Sequence, residues 1–185
     1  LALRLLARDL ELAGHLDLPQ LPAEMPDGET AYVCGDGLSL DKRVYLEDLD
    51  FKAIDNVEHV ADWAKKIAAW VFPNDPAWQG EFKKRFAVLP DVVFDYLTET
   101  ATEVVTRVRI DDVTKTVAEG QLWTEEALPA EAILAGLVAC DRVYNGKGSI
   151  TLQTLLDEYA TNALTLQIGG KASVGRGRVR CLFTA

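Results

Sequence analysis

The fold and the function of this chain are best predicted from one segment near its C-terminal end, Leu164-Thr-Leu-Gln-Ile-Gly-Gly-Lys-Ala-Ser-Val-Gly-Arg-Gly-Arg-Val-Arg-Cys-Leu-Phe183. Apolar residues take every second position over 164–168 and again over 179–183, with mostly polar residues between them. A period of two is typical of strands that bury one face. The segment therefore predicts a β-hairpin, with both strands half-buried and a glycine-rich loop between them.

The predicted loop, residues 169–177, combines glycine with positive charge. Its glycines are Gly169, Gly170, Gly175 and Gly177. Glycine adopts positive φ at little cost and lets backbone N–H groups come close to a ligand. The loop and the strand after it contain four cations and no acid, in a chain of net charge -10: Lys171, Arg176, Arg178 and Arg180. Open amides with a row of cations favour a nucleic-acid backbone as ligand, although an ordinary hairpin with basic outer residues has the same composition.

A second hairpin is predicted over residues 102–123. Apolar and polar residues alternate from Thr102 to Ile110, a polar turn covers 111–115, and a further strand covers 117–123. Arg107 and Arg109 fall on the first of these strands and are candidate RNA contacts. The alternative is that they are exposed strand arginines, balanced by the nearby acids Glu103, Asp111 and Asp112.

Both segments resemble one protein family. The run Gly169-Gly-Lys-Ala-Ser-Val-Gly-Arg-Gly177 is similar to the glycine-rich signature near the C terminus of RAMP-superfamily proteins, the RNA-binding subunits of CRISPR effector complexes. The block 102–131, with Thr102-Glu-Val-Val-Thr-Arg-Val-Arg-Ile-Asp111 and Gly120-Gln-Leu-Trp-Thr-Glu-Glu-Ala-Leu-Pro-Ala-Glu131, most resembles the backbone subunit of type III-B (Cmr) complexes. Two blocks in the same order are more specific than either alone.

The resemblance implies a fold. Strands interleaved with helices, without a dinucleotide-binding βαβ pattern, predict the α+β class. The family adds an RRM-like (ferredoxin-like) sheet with helical insertions, in a single domain over 1–185. It also implies that the hairpin over 101–124 projects as a thumb that wedges into the guide–target duplex, and that residues 169–177 form an RNA-binding loop.

The resemblance also implies a function and its partners. The chain is expected to bind guide RNA as a repeating backbone subunit of a type III-B CRISPR interference complex in the cytoplasm, away from membranes. Its expected partners are guide RNA, single-stranded target RNA, further copies of itself and other Cmr subunits. The candidate RNA-binding residues are Gly169, Gly170, Lys171, Ser173, Gly175, Arg176, Gly177, Arg178, Arg107 and Arg109. Two alternatives stay open: a RAMP subunit that binds or processes RNA outside the filament, and a protein-interaction domain that uses its basic strand.

Cleavage is not expected from this chain. Family members cut target RNA with an acid in a loop near the N terminus, and that loop would precede Leu1. The resemblance therefore assigns no catalytic residue, no metal ligand and no bound cofactor here, although Mg²⁺ or Mn²⁺ is expected for the full-length family activity. The pair Glu125 and Glu126 could suggest acid–base chemistry, but the family places it as structure beside the hairpin base.

Composition limits the other function classes. The chain of 185 residues has 49% hydrophobic and 26% charged residues, as ordinary globular domains do. Its three cysteines are far apart and its two histidines are not at metal-ligand spacing, which disfavours zinc and disulfide frameworks. Overall acidity argues against an isolated nucleic-acid binder. RNA binding must therefore depend on the local basic segment.

The remaining elements are predicted from local pattern. Residues 31–34 and 43–46 flank Gly35-Asp-Gly37, which predicts a hairpin between them, and alternation over 49–53 predicts a strand. We expect Asn56 to cap a helix with one apolar stripe, and Trp63 near its margin to lie in the core or a subunit interface.

Further helices and a strand are expected along the rest of the chain. Asp75-Pro76 and Asp91 are each expected to begin a helix. The continuous apolar run Ile133–Val138 is interpreted as a buried strand, with a helix as the alternative. Residues 145–148 suggest a turn, after which Ser149 is expected to cap a helix over 151–160.

Overall fold

The computed structural model describes residues 1–144, 150–160 and 163–184, in which helices and strands interleave. The elements in chain order are α1 (Ala2–Leu12), β1 (Thr30–Val33), β2 (Ser39–Leu40), β3 (Arg43–Leu46), β4 (Leu49–Ile54), α2 (Val60–Val71), α3 (Pro76–Lys84), β5 (Ala87–Val88), α4 (Asp91–Thr100), β6 (Glu103–Ile110), β7 (Val117–Ala127), α5 (Leu152–Tyr159), β8 (Leu164–Gln167) and β9 (Arg178–Cys181). Five strands form one sheet in the order β2-β3-β4-β1-β5. The predicted α+β class is confirmed.

Alternation along β4 places Phe51 in the core of this sheet. Phe51 lies opposite Val44 of β3, and both side chains are buried together with Ala31 and Val33 of β1. The predicted hairpin between residues 31–34 and 43–46 is wrong, because β1 pairs in parallel with β4 and β3 turns back onto β4. A two-residue turn joins β3 to β4, with Glu47 at φ +52, and this tight turn makes them the local hairpin.

A second core lies between α1 and α2. Ala7 and Leu10 of α1 pack with Trp63 of α2, whose side chain is fully buried. The Trp63 indole Nε1 donates a 3.0 Å hydrogen bond to the carbonyl oxygen of Gln20, so its one polar atom is satisfied. The expectation that Trp63 is a core residue is confirmed.

Helix starts follow the predicted signals at some positions and not at others. Asp75 caps α3 by accepting a hydrogen bond from the Trp78 amide at 3.1 Å, and α4 begins at Asp91, as predicted. The predicted cap at Asn56 is wrong, because Asn56 has φ +56 and His59 has φ +67, so the helical backbone begins only after them.

The last helix, α5, is capped by Thr151, which exchanges hydrogen bonds with Thr154 in a capping box. The predicted turn over 145–148 and the predicted cap Ser149 lie outside the described residues.

The predicted buried strand Ile133–Val138 is also wrong. This segment follows β7 without regular structure, and its apolar side chains are exposed, as Leu134 shows at 81%. An apolar run is buried only where another surface covers it.

No helix among the described residues is long and apolar enough to cross a membrane.

Candidate nucleic-acid interface

The glycine-rich loop joins β8 to β9, as predicted. The two strands are antiparallel, with Leu164 opposite Cys181 and Gln167 opposite Arg178. The Ile168 amide donates a 2.8 Å hydrogen bond to the Gly177 carbonyl oxygen, which closes the hairpin just before the loop. The strand residues are more exposed than the expected half-buried pattern, and none is buried.

Positive φ angles give the loop its shape. The left-handed positions are Gly169 (φ +80), Lys171 (φ +64), Gly175 (φ +82) and Gly177 (φ +74). A short 3₁₀ turn over Ala172–Val174, which contains Ser173, lies between the second and third of these positions. Since three of the four are glycines, the sequence can adopt this path with little strain.

The glycines divide into two functional kinds. A Cβ at Gly177 would lie 2.0 Å from the Ile168 carbonyl oxygen, so this glycine is required for hairpin closure. A Cβ at Gly169, Gly170 or Gly175 would meet no atom within 4 Å, so the backbone there borders open space. A ligand can approach the loop at those three positions. The sequence pattern did not distinguish Gly177 from the other three.

The second predicted hairpin is formed by β6 and β7. Its strands pair in antiparallel fashion from Glu103 opposite Ala127 to Val108 opposite Leu122, with an irregularity before Ile110, and neither strand has a buried residue. At its turn the Asp111 carboxylate accepts hydrogen bonds from the amides of Thr114 and Val113, which lowers the pKa of Asp111. Asp111 therefore shapes the turn and does not balance the arginines.

Glu125 of β7 connects the two hairpins. Its carboxylate accepts hydrogen bonds from Lys171 Nζ at 2.7 Å, Trp123 Nε1 at 3.0 Å and Arg107 Nε at 2.8 Å. These bonds, from Lys171 above all, lower the pKa of the Glu125 carboxyl from its ordinary 4.5 to about 2. Only 15% of the Glu125 side chain is exposed. The interpretation of this acid as structural at the hairpin base agrees with these contacts.

A second ion pair lies beside it. Arg176 of the loop donates to both carboxylate oxygens of Glu103, from Nη1 at 2.6 Å and from Nη2 at 3.4 Å. The pair lowers the pKa of Glu103 and raises that of Arg176. Glu103 therefore neutralises a loop cation, whereas the sequence suggested that it balances its strand neighbours Arg107 and Arg109. No local signal could show this contact, which spans 73 positions.

The remaining basic candidates differ in their surroundings. Arg180 of β9 donates to the Val71 carbonyl oxygen at 3.0 Å, at the end of α2. Arg109 and Arg178 are exposed, and within residues 1–144, 150–160 and 163–184 neither side chain makes a hydrogen bond or ion pair. These two guanidinium groups can bind an anion from outside the chain without breaking a side-chain hydrogen bond or ion pair among the described residues.

The described part of the chain brings together no group of three His, Cys, Asp or Glu side chains that could hold a metal ion. The described surface does bring together loop backbone that borders open space and cations on two adjoining hairpins, and such groups can bind an anion.

Comparisons with known proteins agree with the resemblance seen in the sequence. The sequence profile of the RAMP superfamily matches residues 29–180. A protein named CRISPR system Cmr endoribonuclease Cmr4, from Pyrococcus furiosus, is 31% identical over 180 residues, which is 97% of this chain. The chain spans 59% of the length of that relative.

Solved structures show the same fold. The crystal structure of oligomeric Cmr4 from Pyrococcus furiosus matches 99% of this chain and 63% of its own, with a TM-score of 0.59 and 23% identity. A second crystal structure of Cmr4 matches 96% of this chain and 60% of its own, with a TM-score of 0.57 and 22% identity. The likeness is consistent with the predicted ferredoxin-like sheet with helical insertions and a separate β6–β7 hairpin.

Proposed function

Because this chain belongs to the RAMP superfamily, we propose that it binds guide RNA as a backbone subunit of a type III-B CRISPR RNA-interference complex. The observation that carries the proposal is the glycine-rich loop. Its backbone is open at Gly169, Gly170 and Gly175, and it lies against a second hairpin with basic side chains. The name of the relative, a Cmr endoribonuclease, supports the assignment to this type of complex.

The proposed partners follow from the same assignment. They are guide RNA, single-stranded target RNA, further copies of this chain and other Cmr subunits, in the cytoplasm. A single subunit of net charge -10 has only a short basic surface to attract phosphate. We therefore expect weak binding to isolated RNA, and stronger binding when several copies contact one strand.

The two hairpins would divide the contacts between them. The RNA backbone would pass over the open glycines, where no side chain intervenes. The amides of Gly169 and Gly170 make no hydrogen bond among the described residues and can donate to phosphate oxygens, whereas the Gly175 amide already donates to the Ala172 carbonyl oxygen. Arg178 beside the loop and Arg109 on β6 would add charge without giving up an internal ion pair. Phosphate contacts of this kind position RNA and carry no base information.

RNA cleavage is not part of the proposed function, because the resemblance assigns no catalytic acid to any position of this sequence. The requirement for Mg²⁺ or Mn²⁺ stays a prediction for the full-length family activity.

The test is a substitution that leaves the free protein unchanged and obstructs only a bound ligand. Gly170 has no positive φ and no atom within 4 Å of an added Cβ, so Gly170→Val should fold normally. If RNA passes over this backbone, the isopropyl group should reduce binding by about tenfold or more, since it prevents close approach. Gly136→Val is the matched control, because Gly136 is equally open and lies outside both hairpins.

Binding is measured by fluorescence anisotropy with labelled single-stranded RNA of several sequences and at several salt concentrations. Arg178→Ala and Arg109→Ala should each weaken binding alike for all sequences, and each should reduce the slope of log affinity against log salt by about one or less. No measurable RNA binding by the wild-type chain would contradict the proposal and favour a protein-interaction domain. A loss restricted to one RNA sequence would contradict the phosphate role.

A further inference from the structure

We propose that Glu103 and Glu125 are positioning residues, which hold the glycine-rich loop against the base of the β6–β7 hairpin so that both hairpins form one RNA-binding surface. This role rests on the RNA binding proposed above. It assigns to two acids a part in binding a polyanion, which their charge alone would oppose.

The contacts that support this role connect distant parts of the chain. Lys171 reaches Glu125 across 46 positions, and Arg176 reaches Glu103 across 73. Glu125 also accepts from Arg107 on the neighbouring strand, so one carboxylate binds a cation from each hairpin. Hydrogen bonds between charged groups are directional, and Arg176 donates to both carboxylate oxygens of Glu103, at 2.6 Å and 3.4 Å.

Among the described residues, the apolar side chains of the two hairpins are at most half-buried. Neither hairpin contributes a buried side chain, whereas the central sheet buries Val44 and Phe51. The β8–β9 hairpin is held elsewhere by Arg180, which donates to the Val71 carbonyl oxygen, and by a 3.2 Å contact between His15 and Thr184. Those contacts lie on β9 and beyond its C-terminal end, so the ion pairs are what fix the loop end.

The acids remain charged under ordinary conditions. Hydrogen bonding lowers the pKa of both carboxyls, so the loop stays attached at neutral pH. With the loop attached, Lys171 and Arg176 are held in place, and the open glycine backbone faces a defined direction before RNA arrives. Preorganisation of this kind strengthens binding, because the loop does not have to be ordered when the ligand binds.

The first measurement uses the protein without RNA. Loop order is read from hydrogen exchange of the amides of Val174, Gly175 and Arg176, which are hydrogen-bonded within the loop. Glu103→Gln/Glu125→Gln should speed this exchange roughly three- to thirtyfold, as the loss of a few partly exposed ion pairs predicts. The matched control is Glu119→Gln, since Glu119 is an exposed acid on β7 that touches neither cation. Unchanged exchange in the double variant would overturn the positioning role.

The second measurement is RNA affinity. Removing negative charge near RNA strengthens binding if charge is the only effect, and Glu119→Gln measures that contribution for one of the two charges that the double variant removes. Loss of positioning acts in the opposite direction, so Glu103→Gln/Glu125→Gln should bind RNA roughly three- to thirtyfold more weakly than the control. Tighter binding by the double variant would overturn the proposal, because it would show that the acids compete with phosphate.

A charge swap provides the rescue. Arg176→Glu should free the loop and weaken RNA binding, and adding Glu103→Arg should restore both loop protection and part of the affinity, because the ion pair forms again with its charges reversed. A swapped protein that behaves as Arg176→Glu alone would overturn the role of this pair.

The possible outcomes distinguish the positioning role of the two acids from the proposed RNA-binding function. A wild-type chain that binds no RNA contradicts the proposed function, while hydrogen exchange still decides whether the acids hold the loop. A chain that binds RNA but keeps full loop protection in Glu103→Gln/Glu125→Gln retains the function and loses only the positioning role.

Discussion

Replacing Gly177 by alanine should open the β8–β9 hairpin, because this glycine is subject to two constraints at once. Its φ of +74 costs a non-glycine residue about 1–2 kcal/mol. The added Cβ would also lie 2.0 Å from the Ile168 carbonyl oxygen, well inside van der Waals contact. Backbone cannot move away as a side chain can, so the chain must shift at the residue that closes the hairpin.

The magnitude follows from the bonds that this shift disturbs. The Ile168 amide donates to the Gly177 carbonyl oxygen at 2.8 Å, and such a bond contributes about 1 kcal/mol. The Cβ would also lie 2.6 Å from Gln167 Nε2, which donates a hydrogen bond to the Arg176 carbonyl oxygen. Together with the backbone strain, the hairpin should lose about 2–4 kcal/mol of local stability.

The assay is hydrogen exchange of the β8 and β9 amides. A local loss of this size speeds exchange by about thirty- to several-hundredfold, limited by complete opening of the hairpin. The melting temperature should change little, because neither strand has a buried residue.

Two neighbouring glycines serve as matched controls. Gly175→Ala has the positive φ without the collision, so the hairpin should lose only about 1–2 kcal/mol of local stability. Gly170→Ala has neither constraint, so its hairpin amides should exchange at the wild-type rate. Equal exchange in Gly177→Ala and Gly175→Ala would refute the steric reasoning.

Three further predictions concern the core, the ion pairs and catalysis. Trp63→Ala should lower the free energy of unfolding by about 3–5 kcal/mol, because it removes a fully buried side chain, and a loss below about 1 kcal/mol in denaturant titration would contradict this. The pKa of Glu125 falls from 4.5 to about 2 on folding, so its contribution to stability is present above pH 4.5 and is lost as the pH falls towards 2. Loop protection is measured by hydrogen exchange, and protection that fades above pH 5 would argue against a stabilising role of the charged Glu125 carboxylate. RNA incubated with the chain and Mg²⁺ or Mn²⁺ should stay uncut, and metal-dependent cleavage abolished by Asp36→Asn or Glu125→Gln would place an active site within the chain.

Short sequence patterns were enough to predict several strands and helix starts. Alternation predicted strands β4, β6, β8 and β9, and the Asp75-Pro76 pair predicted the start of α3. Such signals act over a few residues, through side-chain direction and through the amides at a helix end, so they need no knowledge of the rest of the fold. The two blocks that resemble the RAMP superfamily are likewise read from neighbouring residues.

Pairing between strands was not determined locally. The expected hairpin of residues 31–34 with 43–46 failed, because the place of β1 beside β4 depends on which faces share the core around Phe51. The apolar run Ile133–Val138 was expected to be buried and is exposed, since burial requires a surface that the run itself does not supply.

The candidate site shows the same division. The sequence identified the glycines, the cations and both hairpins, because each is a pattern within a short segment. Only the tertiary structure decided that Gly177 closes the hairpin, while the other loop glycines border open space. It also decided that Glu103 pairs with Arg176 and Glu125 with Lys171. Ion pairs and close approaches depend on distances between atoms, and residues 46 or 73 positions apart acquire such distances only when the chain has folded.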